Sequence, residues 1–228
     1  MSPEAATAIL PALGADGLWC EVLAQAPWPW PRPALFLDRD GVIIEQVEFL
    51  HDPAALRLVN GASQAIAAAN RADIAVVEVT NQSGIGRGYF GWDAFQSVEA
   101  AMRSALAAGG AAIDLVIACP HHPAGLRAYR HPDHPARKPN PGMMLRAAGL
   151  AKLDLGRSWM VGDKADDIAA GKAAGLAGGV HVLTGHGRVQ RDAALALADG
   201  GFSVRPADSI ADLIRLLPEL VSGSEPRR

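Results

Sequence analysis

With 228 residues, half of them hydrophobic and a fifth charged, the chain has globular composition and enough length to bury a sizeable core. A net charge of −3 leaves no basic footprint for nucleic acid or an anionic membrane surface, and no apolar run approaches the ~20 residues that span a bilayer. Cys20 and Cys119 are too few for a disulfide framework, and the first residues lack the basic flank and apolar core of a signal peptide, so a cytoplasmic protein, monomer or weak homodimer, is expected.

Residues 1–33 stand apart as an extension. A short helix is expected near Pro3–Leu13, followed by Trp19-Cys20 and the run Ala26-Pro-Trp-Pro-Trp-Pro-Arg-Pro33. Alternating prolines favour an extended segment and exclude helix or central strand. The tryptophans are expected to pin this extension to the surface of the following domain, residues 34–221.

From Ala34 the pattern alternates between strand and helix. Apolar runs predict buried strands at Ala34–Leu37, Ile74–Val79, Ile113–Ala118, Ser158–Val161 and Val180–Leu183, with a weaker one near Phe202–Val204. Alanine-rich stretches predict helices near Ala62–Arg71, Asp93–Ala108, Pro141–Leu150 and Asp166–Ala174, and a last one from Ile210 to about Leu220. Asp93 and Gln96 have capping-box spacing, Asn140-Pro141 reads as an N-cap followed by proline, and Gly175 follows a last turn. Residues 222–228 read as a disordered tail. Such alternation implies an α/β fold, a mostly parallel sheet with helices on both faces.

In open parallel sheets, ligands bind beyond the carboxyl ends of the strands. The first strand ends in Asp38-Arg39-Asp40-Gly41, two carboxylates that share one side of an extended chain and either repel or hold a cation. Taken alone, Asp-x-Asp-Gly is also common turn composition. The second strand ends in Thr80-Asn81-Gln82-Ser83-Gly84, a hydroxyl, an amide and a glycine-rich turn suited to phosphate oxygens. The spacing Gly84-x-Gly86-x-Gly88 does not fit a dinucleotide fingerprint. Arg137-Lys138 precedes a helix start, where an anion is favoured. Asp163 directly follows the fourth strand and could complete a magnesium site with Asp38, while Asp166 or Asp167 is expected to cap the next helix.

In this order, Asp38-Arg-Asp-Gly, Thr80-Asn-Gln-Ser-Gly-Ile, Arg137-Lys-Pro and Gly162-Asp-Lys-x-x-Asp resemble the four motifs of haloacid dehalogenase (HAD) superfamily phosphatases. Thr80–Gly91, Cys119-Pro-His-His-Pro and Arg137-Lys-Pro-Asn-Pro-Gly-Met resemble, more narrowly, the branch containing heptose-1,7-bisphosphate 7-phosphatases and histidinol-phosphate phosphatases. The resemblance covers Ala34 to the C-terminus. It implies a Rossmann-like HAD fold, with Asp38 as nucleophile and Asp40 as acid/base. It also implies magnesium on the Asp38 side chain, the Asp40 carbonyl and Asp163. Arg39, Thr80, Asn81, Arg137, Lys138 and Lys164 are then the candidates for binding phosphate or substrate.

The spacing between motifs leaves room for helices but no inserted domain, so no separate cap is expected, and substrate choice should rest on Ile44–Asp52, Gly86–Trp92 and the loop after Cys119. Two departures from the branch stand out. Gln46-Val47-Glu48-Phe49-Leu50 replaces the usual Asp-x-Gly-Tyr-Val, and His134-Pro135-Ala136 replaces the second half of a Cys-x-His…Cys-x-Cys zinc loop. Cys119, His121 and His134 remain as zinc candidates; with Ala136 in fourth place, zinc is expected to be absent or weakly held. The expected partner is a small phosphorylated molecule, a sugar phosphate or histidinol phosphate. A polynucleotide 3′-phosphate is disfavoured for want of a basic stripe. A non-catalytic phospho-acceptor or sugar-phosphate-binding module, the reading from another class, leaves Asp40 without a purpose.

Overall fold

The computed structural model describes residues 13–24 and 28–222. All of the helix expected near Pro3–Leu13 except Leu13, which bridges to Trp19, and the end of the expected tail lie outside the described residues. A seven-stranded sheet runs in the order β1-β4-β3-β2-β5-β6-β7. Its strands are β1 (Trp19–Val22), β2 (Ala34–Leu37), β3 (Ala75–Asn81), β4 (Leu115–Cys119), β5 (Trp159–Gly162), β6 (Gly178–His181) and β7 (Ser203–Pro206). All neighbouring pairs are parallel except β1 with β4, which places Trp19 opposite Ala118.

The segment that stood apart in the sequence thus contributes an edge strand to the sheet. Trp19 is buried in the core, Trp28 is buried beneath the Arg32 guanidinium at 4.8 Å, and Trp30 is exposed. Trp19 and Trp28 therefore both pack into the core, one on each face of the sheet, rather than lying on the surface of the domain.

Alternation along the central strands sorts side chains into two cores. Leu35, Leu37, Val76 and Val161 face α1 (Ala62–Arg71), α3 (Trp92–Ala108) and α7 (Leu213–Ser222). Phe36, Val77, Val79 and Met160 face α4 (Gly142–Ala151), α5 (Ala165–Ala173) and α6 (Gly187–Leu195). Both faces of the middle strands are covered, which is why they read as unbroken apolar runs.

Some helix ends differ from expectation. Gly91, not Asp93, is the N-cap of α3, and Pro141 rather than Asn140 precedes the first turn of α4. The Asn140 amide is engaged instead by Asp133 and the His134 carbonyl. Gly175 takes a left-handed conformation, φ 76°, after α5, as its position predicted. A short helix, α2 (Ser83–Gly86), follows β3. Besides β3, the chain between β2 and β4 holds loops, helical turns and α1 to α3, so no separate cap domain covers the strand ends. Among the described residues no helix is long and apolar enough to cross a membrane.

Candidate active site

The chain leaves β2 for β3 and β4 on one side, then returns to build β5 to β7 on the other. This reversal opens a crevice at the carboxyl ends of β2 and β5, where open sheets bind ligands. Asp38 stands at the end of β2, its backbone N–H bonded to the Val161 carbonyl of β5 at 3.0 Å, and Asp163 follows β5 directly.

Lys138 arrives from the loop before α4. Its Nζ donates to Asp38 Oδ1 at 2.7 Å and to the Val79 carbonyl at 2.8 Å, and pairs with Asp167 at 2.7 Å. Burial would lower the lysine's pKa, but Asp167 and Asp38 outweigh it and hold the ammonium above its ordinary value. Asn81 fixes this loop, its amide nitrogen donating to the Lys138 carbonyl and its oxygen accepting from the Lys138 N–H, both at 3.1 Å.

Asp38, Asp163 and Asp167 bring carboxylate oxygens within 4.8 Å of one another, all buried. Both oxygens of Asp167 have partners, Lys138 on one and the Lys164 N–H at 3.0 Å on the other. It is therefore the helix cap that the sequence suggested and a member of the charge cluster that it did not. Asp163 is different. One oxygen accepts from the His186 N–H at 2.7 Å, while Oδ1 is buried with no hydrogen-bond partner. Burial, then Asp38 and Asp167, push its carboxyl up to about 7. A divalent cation at Oδ1 would answer all three effects, so the donor set fits magnesium. Two glycines leave room beside it: Gly41 and Gly185 both have positive φ, and a Cβ on either would stand 2.6 or 2.2 Å from Asp163 Oδ2.

Asp40 turns the other way. Its Oδ2 accepts from Arg39 Nε and Gln82 Nε2, each at 3.1 Å, and its Oδ1 from Arg39 Nη2 at 3.3 Å. Gln82 Nε2 also donates to Thr80 Oγ1 at 2.9 Å, which leaves the Thr80 hydroxyl proton free to point elsewhere. Arg39 corrects an expectation. As a candidate phosphate ligand it should reach the crevice, yet it is buried below it, spent on Asp40 and on Glu99 at 2.9 Å. Gln82, Asp167 and Glu99 were not among the sequence candidates. The signal for Glu99 and for Glu78 is a carboxylate placed inside an apolar pattern.

Arg137 Nη1 donates to the His121 carbonyl at 3.1 Å, and Lys164 is half-buried at the start of α5. A cavity of about 370 Å³ lies beside the cluster and is lined by Gly41, Glu45, Gln46, Asn60, Thr184 and Gly185, among others. The segments 44–52 and 86–92 meet at the rim: the Phe49 and Tyr89 rings lie 4.6 Å apart, and Arg87 covers both.

The zinc candidates lie close together, and His121 Nδ1 is buried with no hydrogen-bond partner. Cys119 Sγ lies 4.0 Å from His134 Nδ1, and the His121 and His134 rings stack at 3.7 Å. His121 Nε2 bonds to the Asp16 carbonyl at 3.0 Å, and His134 Nδ1 accepts from the Ala136 N–H at 3.1 Å.

Comparison with known proteins agrees with this geometry. Residues 135–215 match the HAD-hydrolase-like family. A D-glycero-β-D-manno-heptose-1,7-bisphosphate 7-phosphatase of Mesorhizobium japonicum is 46% identical over 201 residues, 88% of each chain. Its counterpart in Vibrio cholerae is 40% identical, covering 72% of this chain and 89% of that one. A HAD-like phosphatase from Mesorhizobium loti superposes with a TM-score of 0.82 at 43% identity, over 95% of this chain and 99% of the other. A heptose 1,7-bisphosphate phosphatase from B. bronchiseptica, complexed with magnesium and phosphate, gives 0.70 at 33% identity, over 82% and 98%. With these relatives and this constellation of strand-end carboxylates, the chain belongs to the HAD-like phosphatases, in the branch of the heptose-1,7-bisphosphate 7-phosphatases.

Proposed function

We propose that the chain hydrolyses the 7-phosphate of D-glycero-β-D-manno-heptose 1,7-bisphosphate. The observation that carries this reading is the 46% identity across 88% of both chains to a phosphatase of that name.

The reaction divides between the two aspartates of the first strand end. One oxygen of Asp38 attacks phosphorus in line, the bond to the sugar oxygen breaks, and an aspartyl-phosphate forms. Lys138, fixed on Asp38 Oδ1, sets the angle of that attack and compensates charge. Asp40 gives its proton to the departing sugar oxygen. It then takes one from the water that attacks the phosphorus of the aspartyl-phosphate, which frees phosphate and restores Asp38. Asp38, the Asp40 carbonyl and Asp163 would hold magnesium, which would supply positive charge against the phosphoryl oxygens. Thr80 donates its hydroxyl proton to the transferring phosphoryl group. Asn81 acts one step back, by holding the Lys138 backbone. Arg137, next to Lys138, and Lys164, next to Asp163, are the cations that would meet a second anionic or hydroxyl-rich end of the substrate.

The test is a comparison of kcat/KM on the heptose bisphosphate, on hexose phosphates and on histidinol phosphate. The heptose bisphosphate should lead by at least tenfold. Histidinol phosphate turned over a hundredfold better than any sugar phosphate overturns the assignment.

A further inference from the structure

Beneath Asp40 lies an ionic group that the reaction does not touch. Arg39, Glu78 on β3 and Glu99 on α3 are all buried, none more than 1% exposed. Arg39 Nη1 donates to Glu99 Oε1 at 2.9 Å, while its Nε and Nη2 fork across the two oxygens of Asp40. The ring of Phe95, itself wedged against Trp19 and Trp92, lies 5.4 Å from the guanidinium carbon and closes the site to water.

The charges do not balance if every group is ionised. Both oxygens of Glu78 and Oε2 of Glu99 lack any N–H or O–H donor, although the two carboxyls face each other. A single proton on Glu78 removes the conflict, because Glu78 then donates to Glu99, and Glu99 keeps its charge for Arg39. Burial and the neighbouring Glu99 push the Glu78 carboxyl well above its ordinary range, in keeping with that state. A buried ionic group contributes little net stability compared with apolar side chains of the same size, so its use lies in holding a geometry.

We propose that Glu99, braced by a neutral Glu78, is a positioning residue for Asp40, acting through the guanidinium of Arg39. Arg39 has one fork on Asp40 and one arm on Glu99, so fixing the arm fixes the plane in which the Asp40 carboxyl lies. The proposal rests on the reading of Asp40 as proton donor to the leaving oxygen, and the test separates the two.

A p-nitrophenolate leaves without a proton, whereas a sugar alkoxide needs one. Misplacing the acid should therefore slow hydrolysis of the heptose bisphosphate far more than that of p-nitrophenyl phosphate. In Glu99→Gln, the ratio of kcat/KM values on these two esters, which report phosphoryl transfer to Asp38 and not the shared hydrolysis of the aspartyl-phosphate, should fall about tenfold or more. Arg39→Lys, which keeps the charge but not the fork, should give the same pattern. Glu78→Leu should reproduce part of the loss, and Glu78→Gln, which still donates to Glu99, should restore it. Damage to folding alone lowers both rates equally, so equal losses on the two esters overturn the proposal, as does an unchanged ratio. Should Glu99→Gln not fold, the two Glu78 variants carry the same comparison. Asp40→Asn is the reference: a collapsed ratio there with an intact one in Glu99→Gln removes the positioning role alone. An unchanged ratio in Asp40→Asn overturns both readings.

Discussion

Oδ1 of Asp38 accepts a 2.7 Å hydrogen bond from Nζ of Lys138, a residue 100 positions further along the chain. The same Nζ meets Asp167 and the Val79 carbonyl, so the three donors of the ammonium all have partners within the protein. Lys138 is therefore a fixed strut between the end of β2 and the start of α5. It offers a phosphate its charge while its position is set by the two aspartates and the strand.

Asp38→Asn tests the nucleophile directly. The amide is isosteric and can still meet Lys138, so the fold should persist, with an unfolding midpoint close to that of the parent. Turnover should drop by more than roughly a thousandfold, since positioning cannot replace a missing nucleophile. A purified variant that keeps a tenth of the parent rate overturns the assignment.

Lys138→Met should harm both stability and rate. It leaves Asp38, Asp163 and Asp167 facing one another in the interior with no cation between them. Breaking a buried pair from one side costs about 3–5 kcal/mol. Urea unfolding of metal-free protein should show a loss of that order, and magnesium should recover part of it. A variant as stable as the parent would mean that the aspartates are protonated or solvated there.

Much of this was legible in the sequence because the central strands are buried on both faces. Their apolar runs end abruptly at Asp38, Thr80 and Asp163, and the strand ends are where the site lies. What escaped has physical reasons. β1 is a four-residue edge strand of mixed character, Trp-Cys-Glu-Val, and a period cannot be read from it. α6 buries only Gly187 and Ala194, so its sequence lacks the apolar stripe that marks a helix. α2 contains two glycines in four residues. Asp167 looks like a helix cap and is one; that its other oxygen reaches Lys138 depends on a loop arriving from another part of the fold. Arg39 looked like a phosphate ligand because of its neighbours in sequence, yet it points into the interior toward Glu99.

The raised pKa of Asp163 gives a pH dependence with a definite sign. Its carboxyl titrates near 7 in the folded protein, against an ordinary 3.8, so the folded state binds more protons between those values. Metal-free protein should therefore lose stability as pH rises through that window. Magnesium requires the carboxylate, so its stabilising effect should grow with pH up to about 7 and then level off. The rise in melting temperature on adding magnesium should be larger at about pH 7.5 than at about pH 5.5, and absent in Asp163→Asn. Removal of metal by EDTA should stop turnover until magnesium is restored. An equal rise at both pH values counts against Asp163 as a ligand.

Trp19 links the first strand to the site through its packing. It is 5% exposed, stacks on Trp92 at 5.4 Å and meets the edge of Phe95 at 5.7 Å. Trp19→Ala should cost about 3–5 kcal/mol in urea unfolding, the range for a large aromatic removed from a core. Trp19→Phe should cost less, because the indole N–H has no partner to lose. If Trp19→Ala costs under about 1 kcal/mol, β1 is not part of the cooperative unit.

The last expectation concerns zinc in the loop between Cys119 and Ala136. A structural zinc site closes with four ligands, mostly thiolate and imidazole. Here burial pushes the Cys119 thiol up to about 11, so at neutral pH it carries its proton and is a poor ligand unless a metal displaces it. Of the two imidazoles nearest to it, His134 already accepts the Ala136 N–H at Nδ1, whereas His121 engages the Asp16 carbonyl through Nε2 and keeps Nδ1 buried without a partner. Ala136 offers no side-chain donor in the fourth place. His131, its ring 5.1 Å from that of His134, is the nearest replacement, and recruiting it would require breaking the hydrogen bond from the Asp133 N–H to its Nδ1. Elemental analysis of protein purified without added metal should therefore give well under one zinc per chain, and Cys119→Ser should leave the melting temperature unchanged by chelators. One tightly held zinc per chain, lost in Cys119→Ser together with several degrees of melting temperature, would show that the loop closes around a metal after all.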